Sequence, residues 1–537
     1  MSNTTKEKIG QLMVFGFKGK KASPEIIKLI REHHIGGVIL FGRNIGTPEE
    51  VLELTTELQR TAKEAGHERP LLICIDQENG VVRRLGEGTT ILPGAMLLGA
   101  TGRSENAYIT GLLTGRELKA LGINWNLAPV LDVNNNPDNP VIGVRSYGES
   151  ADMVANFGKQ AVKGLQDAGI ITTLKHFPGH GDTDIDSHLD LPVISHDIER
   201  LQEVELRPFR DVIEQGADTI MSAHVYFPAI EERENVPATI SKKVITGLLR
   251  EELGFQGVVT TDCMEMNAIS EGIGTAEGAI EALKAGVDLI MVSHLQTRQY
   301  ETLFQVEEAI HTGEIAEETI LQAYQRVADL KDKYLSWDDI TLDSPLHVSK
   351  DVGSKHHELE AYEFYKQGIT IVHNDNMLPL TLKESDPLLV VYPRDSYALQ
   401  VKDKRYATFA LEKAVQDMHD CLEVFQVSNP PINDEIANLK EIANQYQAII
   451  IGTLSIKEND QQVTLVETLL KENRNVIVVA TRNPYDIAYL PEVSAYIATY
   501  EFTAPALKTA VEAIFGKVKV KGKLPVSLPR RRSDNLE

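Results

Sequence analysis

Five segments within the first 340 residues share one pattern: an amphipathic helix, a glycine at its end, and then a short apolar strand. They are KALGINWNLAPVLD, QDAGIITTLKH, EQGADTIMSAH, EELGFQGVVTTD and KAGVDLIMVSH. The glycines suit the left-handed position after a helix end; they are Gly122, Gly169, Gly216, Gly254 and Gly286. Their intervals of 47, 47, 38 and 32 residues fit helix-strand units rather than hairpins, so we expect a parallel sheet.

Two further apolar runs, GGVILF (36–41) and LLICID (71–76), bring the number of predicted strands to seven. Seven such units in about 300 residues favour an α/β fold of the (β/α)8 barrel type, with the eighth strand expected around residues 138–150. A doubly wound open sheet is the alternative. Against it, no GxGxxG follows a strand and no P-loop is present.

The predicted barrel strands end in titratable side chains, although the strands themselves are apolar. These ends are Asp76, Asp132, His176, His224, Asp262 and His294. In a parallel barrel all carboxyl ends of the strands face one pocket, which is where barrel enzymes carry out their chemistry. Six polar ends together therefore predict an active site.

A second α/β pattern follows a polar, aperiodic stretch. We predict a barrel domain over 1–340, a linker over 341–358 and an α/β/α sandwich over 359–537. The strands expected in the sandwich are ITIVHN, PLLVVYP, LEVFQV, QAIIIGTLS, NVIVVATRN and AYIATYE.

Composition limits the class of partner and the compartment. A net charge of −24 over 537 residues argues against nucleic acid or an anionic membrane as the main partner. The three cysteines show no CxxC pairing, so neither a disulfide framework nor a structural zinc site is indicated. We find no secretory signal and no apolar run of membrane-spanning length, and expect a soluble cytoplasmic protein.

The stretch LKHFPGHGDTDIDSHLDLP (174–192) concentrates histidines and aspartates without a hydrophobic period. Its DTDID segment resembles the start of a calcium loop, but Ser187 and Val193 stand where that loop needs glycine and glutamate. Zinc held by His176, His180 and His188 stays open as an alternative, although the spacing fits no HExxH-type site.

Acid–base chemistry without a metal explains the same stretch. Side chains two residues apart in an extended segment point the same way, so Asp186 can hold one ring nitrogen of His188 and leave the other for a substrate. Gly179 and Gly181 would let this loop bend and move. The residues expected to serve only as turn formers or caps are His180, Asp182 and Asp184.

Asp262, directly after the strand GVVTT, is the predicted nucleophile or electrostatic partner of that acid, and Glu265 is the alternative. A proton donor and a nucleophilic carboxylate on opposite sides of a scissile bond follow the logic of retaining glycoside hydrolysis. Here a histidine would replace the usual second carboxylate.

Six motifs, in this order, carry a family resemblance: IDQENGVVRRL, INWNLAPVLDVNNNP, NPVIGVRSYG, KHFPGHGDTDIDSH, MSAHVYFPAI and LGFQGVVTTDCMEMNAI. Together they resemble glycoside hydrolase family 3, specifically its NagZ-type β-N-acetylglucosaminidases, and the C-terminal GKLPVSLP resembles the end of the sandwich domain in two-domain members. DQENG departs from the family's DQEGG at Asn79, with little expected effect.

The resemblance implies a role for each matching residue. Asp262 would form the covalent glycosyl-enzyme, and His188 would be the general acid/base with Asp186 as its dyad partner. The residues implied to hold the sugar are Asp76, Arg145, Lys175 and His176, with Asp132 and His224 as further pocket-lining positions.

It also implies the removal of non-reducing terminal N-acetylglucosamine from muropeptides in cell-wall recycling, with a sugar substrate as the partner and no cofactor or metal. Single-domain relatives act without a sandwich, so the second domain would shape the cleft or stabilise the barrel. A family 3 β-glucosidase, an N-acetylglucosaminide phosphorylase, a metal-dependent barrel hydrolase and a non-catalytic sugar-binding protein remain open alternatives.

Overall fold

The computed structural model describes residues 3–187, 189–343, 345–394 and 410–529, and contains two separate sheets. The first is an eight-stranded parallel barrel in the order β7-β6-β5-β4-β3-β2-β1-β8. Its strands are β1 (Met13–Gly16), β2 (Gly37–Leu40), β3 (Leu72–Ile75), β4 (Trp125–Asn126), β5 (Ile171–Phe177), β6 (Thr219–Ser222), β7 (Val258–Thr261) and β8 (Ile290–Val292). A parallel bridge between Thr260 and Leu289 brings β7 beside β8.

The helices of this part alternate with the strands, as the repeated pattern predicts. They are α1 (Asn3–Gln11), α2 (Pro24–His33), α3 (Pro48–Glu64), α4 (Ala95–Ala100), α5 (Glu105–Ala120), α6 (Ala151–Asp167), α7 (Ile198–Glu203), α8 (Leu206–Gly216), a π-helix (Lys243–Glu252), α9 (Asn267–Ser270), α10 (Thr275–Ala285), α11 (Gln296–His311) and α12 (Glu317–Tyr334). The five repeated glycines all have positive φ, between 70° at Gly254 and 106° at Gly286, which explains why glycine recurs there.

The barrel prediction is confirmed, but the expected position of its eighth strand is wrong. That strand is β1, where Val14 pairs with Gly37 of β2 and with Met291 of β8. Residues expected to form it instead include a single 3-10 turn, Gly143–Arg145. β1 escaped the pattern because it has four residues and follows α1 without a helix-ending glycine.

The second sheet has six strands in the order β11-β10-β12-β13-β14-β9. They are β9 (Thr370–Asn374), β10 (Leu388–Pro393), β11 (Leu422–Val427), β12 (Ala448–Thr453), β13 (Val476–Ala480) and β14 (Ala495–Ala498). All six coincide with the predicted strands, and β9 alone is antiparallel to its neighbour. The sandwich prediction is therefore confirmed.

Among the described residues, five α-helices accompany this sheet: α13 (Lys355–Gly368), α14 (Leu411–Gln416), α15 (Asn433–Ile442), α16 (Gln461–Glu472) and α17 (Ala504–Ile514). Helix α14 contacts α17, and α15 contacts α16, so these helices pack in pairs. Helix α13 begins inside the stretch predicted as linker. No helix in the described part of the chain combines the length and the apolar character needed to cross a bilayer.

Candidate active site

A cavity of about 660 Å³ lies at the carboxyl ends of the barrel strands. Asp76 and Glu78 follow β3, Lys175 and His176 belong to β5, and Asp262 follows β7; all five line the cavity. The parallel direction of the strands brings side chains from distant parts of the sequence into this one space.

Four charged side chains form a continuous network in the wall. Lys175 Nζ lies 2.8 Å from Asp76 Oδ1 and 2.6 Å from Glu78 Oε1. Arg145 donates from Nε and Nη2 to the two oxygens of Glu78, at 2.8 Å each. The Lys175 and Arg145 side chains are only 2% and 4% exposed, so these ion pairs lie in a region of weak solvent screening.

Both carboxylates of this network are held in the charged form. Burial alone would raise the pKa of Asp76, but Lys175 and Arg84 outweigh burial and leave that pKa below its ordinary value. The pKa of Glu78 is likewise lowered, because Arg145 and Lys175 outweigh its burial. Two carboxylates and two cations thus offer acceptors and donors to a neutral polyhydroxyl ligand.

Glu78 is a wall residue that our reading of the sequence missed. The only signal for it was its place in the DQENG motif, next to the residue at which the motif departs from the family pattern. Asn79 has φ +70°, a left-handed conformation that asparagine tolerates better than most residues. The turn therefore keeps its shape with asparagine in place of glycine.

Asp132 and His224 lie behind the side chains that line the cavity, and their expected part in the sugar pocket stays a prediction. Asp132 is fully buried behind His176 and accepts from His176 Nδ1 at 2.7 Å and from the His180 backbone N–H at 2.7 Å. His224 is 1% exposed; its Nδ1 lies 2.8 Å from Thr239 Oγ1 and its Nε2 lies 3.1 Å from the Cys263 carbonyl oxygen. Both support residues of the wall from behind.

Asp262 and Glu265, the two candidate nucleophiles, have different surroundings. Asp262 is half-buried, lines the cavity, and accepts from the Cys263 backbone N–H at 2.7 Å. Glu265 accepts from the backbone N–H groups of His294 at 2.6 Å and Leu295 at 2.8 Å. Glu265 thus uses both oxygens to hold the loop after β8, which favours Asp262 as the reactive carboxylate.

The loop after β5 reaches the cavity through Ser187, the residue before His188. The His180 ring is buried. Its Nδ1 lies 2.8 Å from Thr183 Oγ1, and its Nε2 lies 3.0 Å from Ser187 Oγ. Asp186 is 9% exposed, and His188 lies outside the described residues.

Asp182 and Asp184 anchor this loop to neighbouring segments. Asp182 contacts His196 at 2.7 Å, and Asp184 accepts from Asn136 at 2.9 Å. Gly181 serves close packing, because a Cβ there would lie 1.8 Å from the Val133 carbonyl oxygen.

Comparison with models of known families matches residues 4–330 to the Glycosyl hydrolase family 3 N terminal domain and residues 369–537 to the Glycosyl hydrolase family 3 C-terminal domain. The chain belongs to glycosyl hydrolase family 3. The resemblance drawn from the six motifs is therefore confirmed, and the cavity lies within the segment matched to this family's N-terminal domain.

Three similar proteins cover nearly the whole chain. Beta-hexosaminidase A of Pseudoalteromonas piscicida is 32% identical over 98% of this chain and 97% of its own length. A Beta-N-acetylglucosaminidase/beta-glucosidase of Cellulomonas fimi is 28% identical over 97% of this chain and 93% of its own. The solved glycoside hydrolase family 3 beta-N-acetylglucosaminidase of Paenibacillus sp. str. FPU-7 is 41% identical, with a TM-score of 0.90 over 97% of this chain and 98% of that one.

Proposed function

We propose that this family 3 enzyme is a retaining exo-β-N-acetylglucosaminidase that releases non-reducing terminal N-acetylglucosamine from muropeptides and other peptidoglycan fragments. The observation that carries the proposal is that Asp262 opens into the same cavity as the buried Asp76–Lys175–Glu78–Arg145 network. One carboxylate is thus available for the anomeric carbon, while the network offers donors and acceptors for the sugar hydroxyls. The names of the similar proteins support the N-acetylhexosaminide class.

The proposed reaction has two steps. Asp262 attacks the anomeric carbon and forms a covalent glycosyl-enzyme, while His188 gives its proton to the leaving oxygen. His188 then takes a proton from water, which attacks the anomeric carbon and frees Asp262. Asp186 keeps the imidazole oriented and favours its protonated form in the first step.

The sugar would sit against the charged wall. Asp76 accepts from hydroxyl groups, and Lys175, Arg145 and His176 complete the contacts. The Lys175 and Arg145 side chains are almost fully buried, so the sugar would meet a wall of fixed donors and acceptors, as in a preformed ligand pocket.

The test compares Asp262→Asn and His188→Ala with wild type on two β-N-acetylglucosaminides, one with a poor and one with an activated leaving group. Asp262→Asn should lose on the order of 10⁶-fold in turnover on both, the size of effect found when a covalent nucleophile is removed. His188→Ala should lose roughly 10²- to 10⁴-fold on the poor leaving group and much less on the activated one. A loss in His188→Ala that is as large on the activated substrate as on the poor one would refute these roles.

A β-glucosidase activity is the second candidate, because the Cellulomonas fimi protein carries both activities in its name. Turnover of matched N-acetylglucosaminide and glucoside substrates separates the two, and we expect the N-acetylglucosaminide to be preferred.

Product analysis with inorganic phosphate present distinguishes hydrolysis from phosphorolysis. Release of N-acetylglucosamine from isolated muropeptides tests the substrate class, and activity that survives a chelator excludes a required metal.

A further inference from the structure

Three side chains with sulfur, oxygen and nitrogen donors meet at the edge of the cavity beside Asp262. Cys263 and Glu265 follow β7, and His294 follows β8; one donor atom from each lies within 4.8 Å of the other two. All three line the cavity, and the reaction proposed above uses none of them.

The spacing fits a bound cation. Cys263 Sγ lies 3.8 Å from Glu265 Oε2. A tetrahedral zinc ion with bonds of about 2.3 Å to sulfur and about 2.1 Å to oxygen separates these two atoms by roughly 3.6 Å. Glu265 is already oriented by the backbone N–H groups of His294 and Leu295, as the ligands of metal sites commonly are.

We propose that Cys263, Glu265 and His294 form an inhibitory binding site for a thiophilic divalent cation such as Zn²⁺. The three residues supply three ligands, and the fourth position of the ion faces the cavity. Asp262 and Cys263 are consecutive residues that line the same cavity, so an ion held by Cys263 lies in the cavity that contains the reactive carboxylate. Its positive charge would weaken the nucleophile, and its bulk would obstruct the sugar.

The ligand set determines which ions can bind. Zn²⁺ binding releases the Cys263 proton to solvent, since a coordinated thiol is deprotonated. Arg43 Nη1 lies 3.2 Å from His294 Nδ1, and this contact must be released if the ion takes that nitrogen. Mg²⁺ and Ca²⁺ prefer all-oxygen ligands, whereas this site offers a sulfur, an oxygen and a nitrogen donor. These two ions should therefore not inhibit the enzyme.

The test measures metal binding and inhibition on the full-length chain. Zn²⁺ binding is followed by equilibrium dialysis, and Co²⁺ serves as a spectroscopic probe because a cobalt–thiolate bond gives a near-ultraviolet charge-transfer band. The variants are Cys263→Ser and His294→Ala, and the matched control is Cys421→Ser, a half-buried cysteine in the sandwich.

We expect the charge-transfer band in wild type and Cys421→Ser but not in Cys263→Ser. Each site variant should need at least tenfold more Zn²⁺ for half inhibition, measured against its own metal-free rate. Co²⁺ binding without a thiolate band, or unchanged Zn²⁺ inhibition in both site variants, would overturn the proposal. If Cys263→Ser does not fold, His294→Ala decides. This variant keeps the thiol, and it should still need at least tenfold more Zn²⁺ for half inhibition. The dialysis and spectral results do not depend on the substrate, so they stand whether or not the proposed glycosidase reaction is correct.

Discussion

Glu78 shows how one buried residue can hold a site together. Its two oxygens pair with Arg145, and one of them also contacts Lys175. Without this carboxylate, Arg145 would lose the partner of its ion pair, and Lys175 would depend on Asp76, which already contacts Arg84 at 3.5 Å. Removing one member of a buried pair leaves an uncompensated charge, and that costs more than the pair itself contributes.

We predict that Glu78→Gln lowers the free energy of unfolding by about 3 kcal/mol, because the neutral amide turns donor hydrogens toward cations. KM for the sugar substrate should rise as Lys175 and Arg145 lose their positions. Urea unfolding and steady-state kinetics measure both effects. Glu87→Gln, at an exposed position nearby, is the control. A change within 0.5 kcal/mol of that control would mean that the network does not depend on Glu78.

At the scale of elements, the loop after β5 is held by its own buried side chains rather than by secondary structure. The His180 ring contacts two hydroxyl groups of the loop, and its backbone N–H donates to Asp132 at 2.7 Å. The Asn139 amide donates to the carbonyl oxygens of His180 and Gly181, at 2.9 Å each. These bonds place Ser187, and with it the start of the Asp186–His188 segment, at the cavity.

Because His180 is buried, the loop makes the stability of the fold depend on pH. Burial lowers the pKa of His180 from its ordinary 6.5 to about 4. Between these values the unfolded chain binds a proton that the folded chain does not, so stability is lost as the pH falls from 6.5 to 4. For one group this loss is about 3 kcal/mol.

His180→Gln should remove that part of the pH dependence. The difference in unfolding free energy between pH 7 and pH 4 should be about 3 kcal/mol smaller in the variant than in wild type. Urea unfolding at several pH values measures it. His311→Gln, at an exposed histidine, should keep the wild-type dependence. Parallel curves for wild type and His180→Gln would contradict the assignment.

At the scale of the whole molecule, the barrel and the sandwich share apolar core. Val82, Leu92, Leu97 and Val144 of the barrel pack in the same cluster as the strands of the second sheet. Polar contacts add to this surface. The backbone N–H of Gly94 donates to Glu501 at 2.7 Å, Asn134 donates to Tyr485 at 2.8 Å, and His357 contacts Glu117 at 2.8 Å. The sandwich therefore supports the segment that leads to Arg145.

We predict that residues 1–340, produced alone, unfold about 10 °C or more below the full chain and tend to aggregate. The reason is that several apolar side chains lose their cover, each worth roughly 1.5–3 kcal/mol. Differential scanning calorimetry measures the melting temperature, and light scattering measures aggregation. Adding residues 341–537 as a separate chain should raise the melting temperature of the barrel again. A monodisperse barrel with an unchanged melting temperature would show that the sandwich is dispensable for stability.

Most of the fold follows from local features of the sequence. Glycines with positive φ and apolar runs of strand length predicted seven of the barrel strands and all six of the sandwich. They did not reveal β1, because four residues without a preceding glycine look like many other short apolar runs.

The sequence by itself determined which residues stand at the ends of barrel strands, since strand period and chain direction are local properties. Asp76, His176 and Asp262 were found in this way. Only the tertiary structure decided how deep each side chain lies and which neighbours it meets. Asp132 and His224 lie behind the wall, Glu78 bridges two cations, and Cys263 meets His294 because β7 and β8 are adjacent in the closed barrel. Depth and pairing depend on how all the strands pack together, and no local pattern records that.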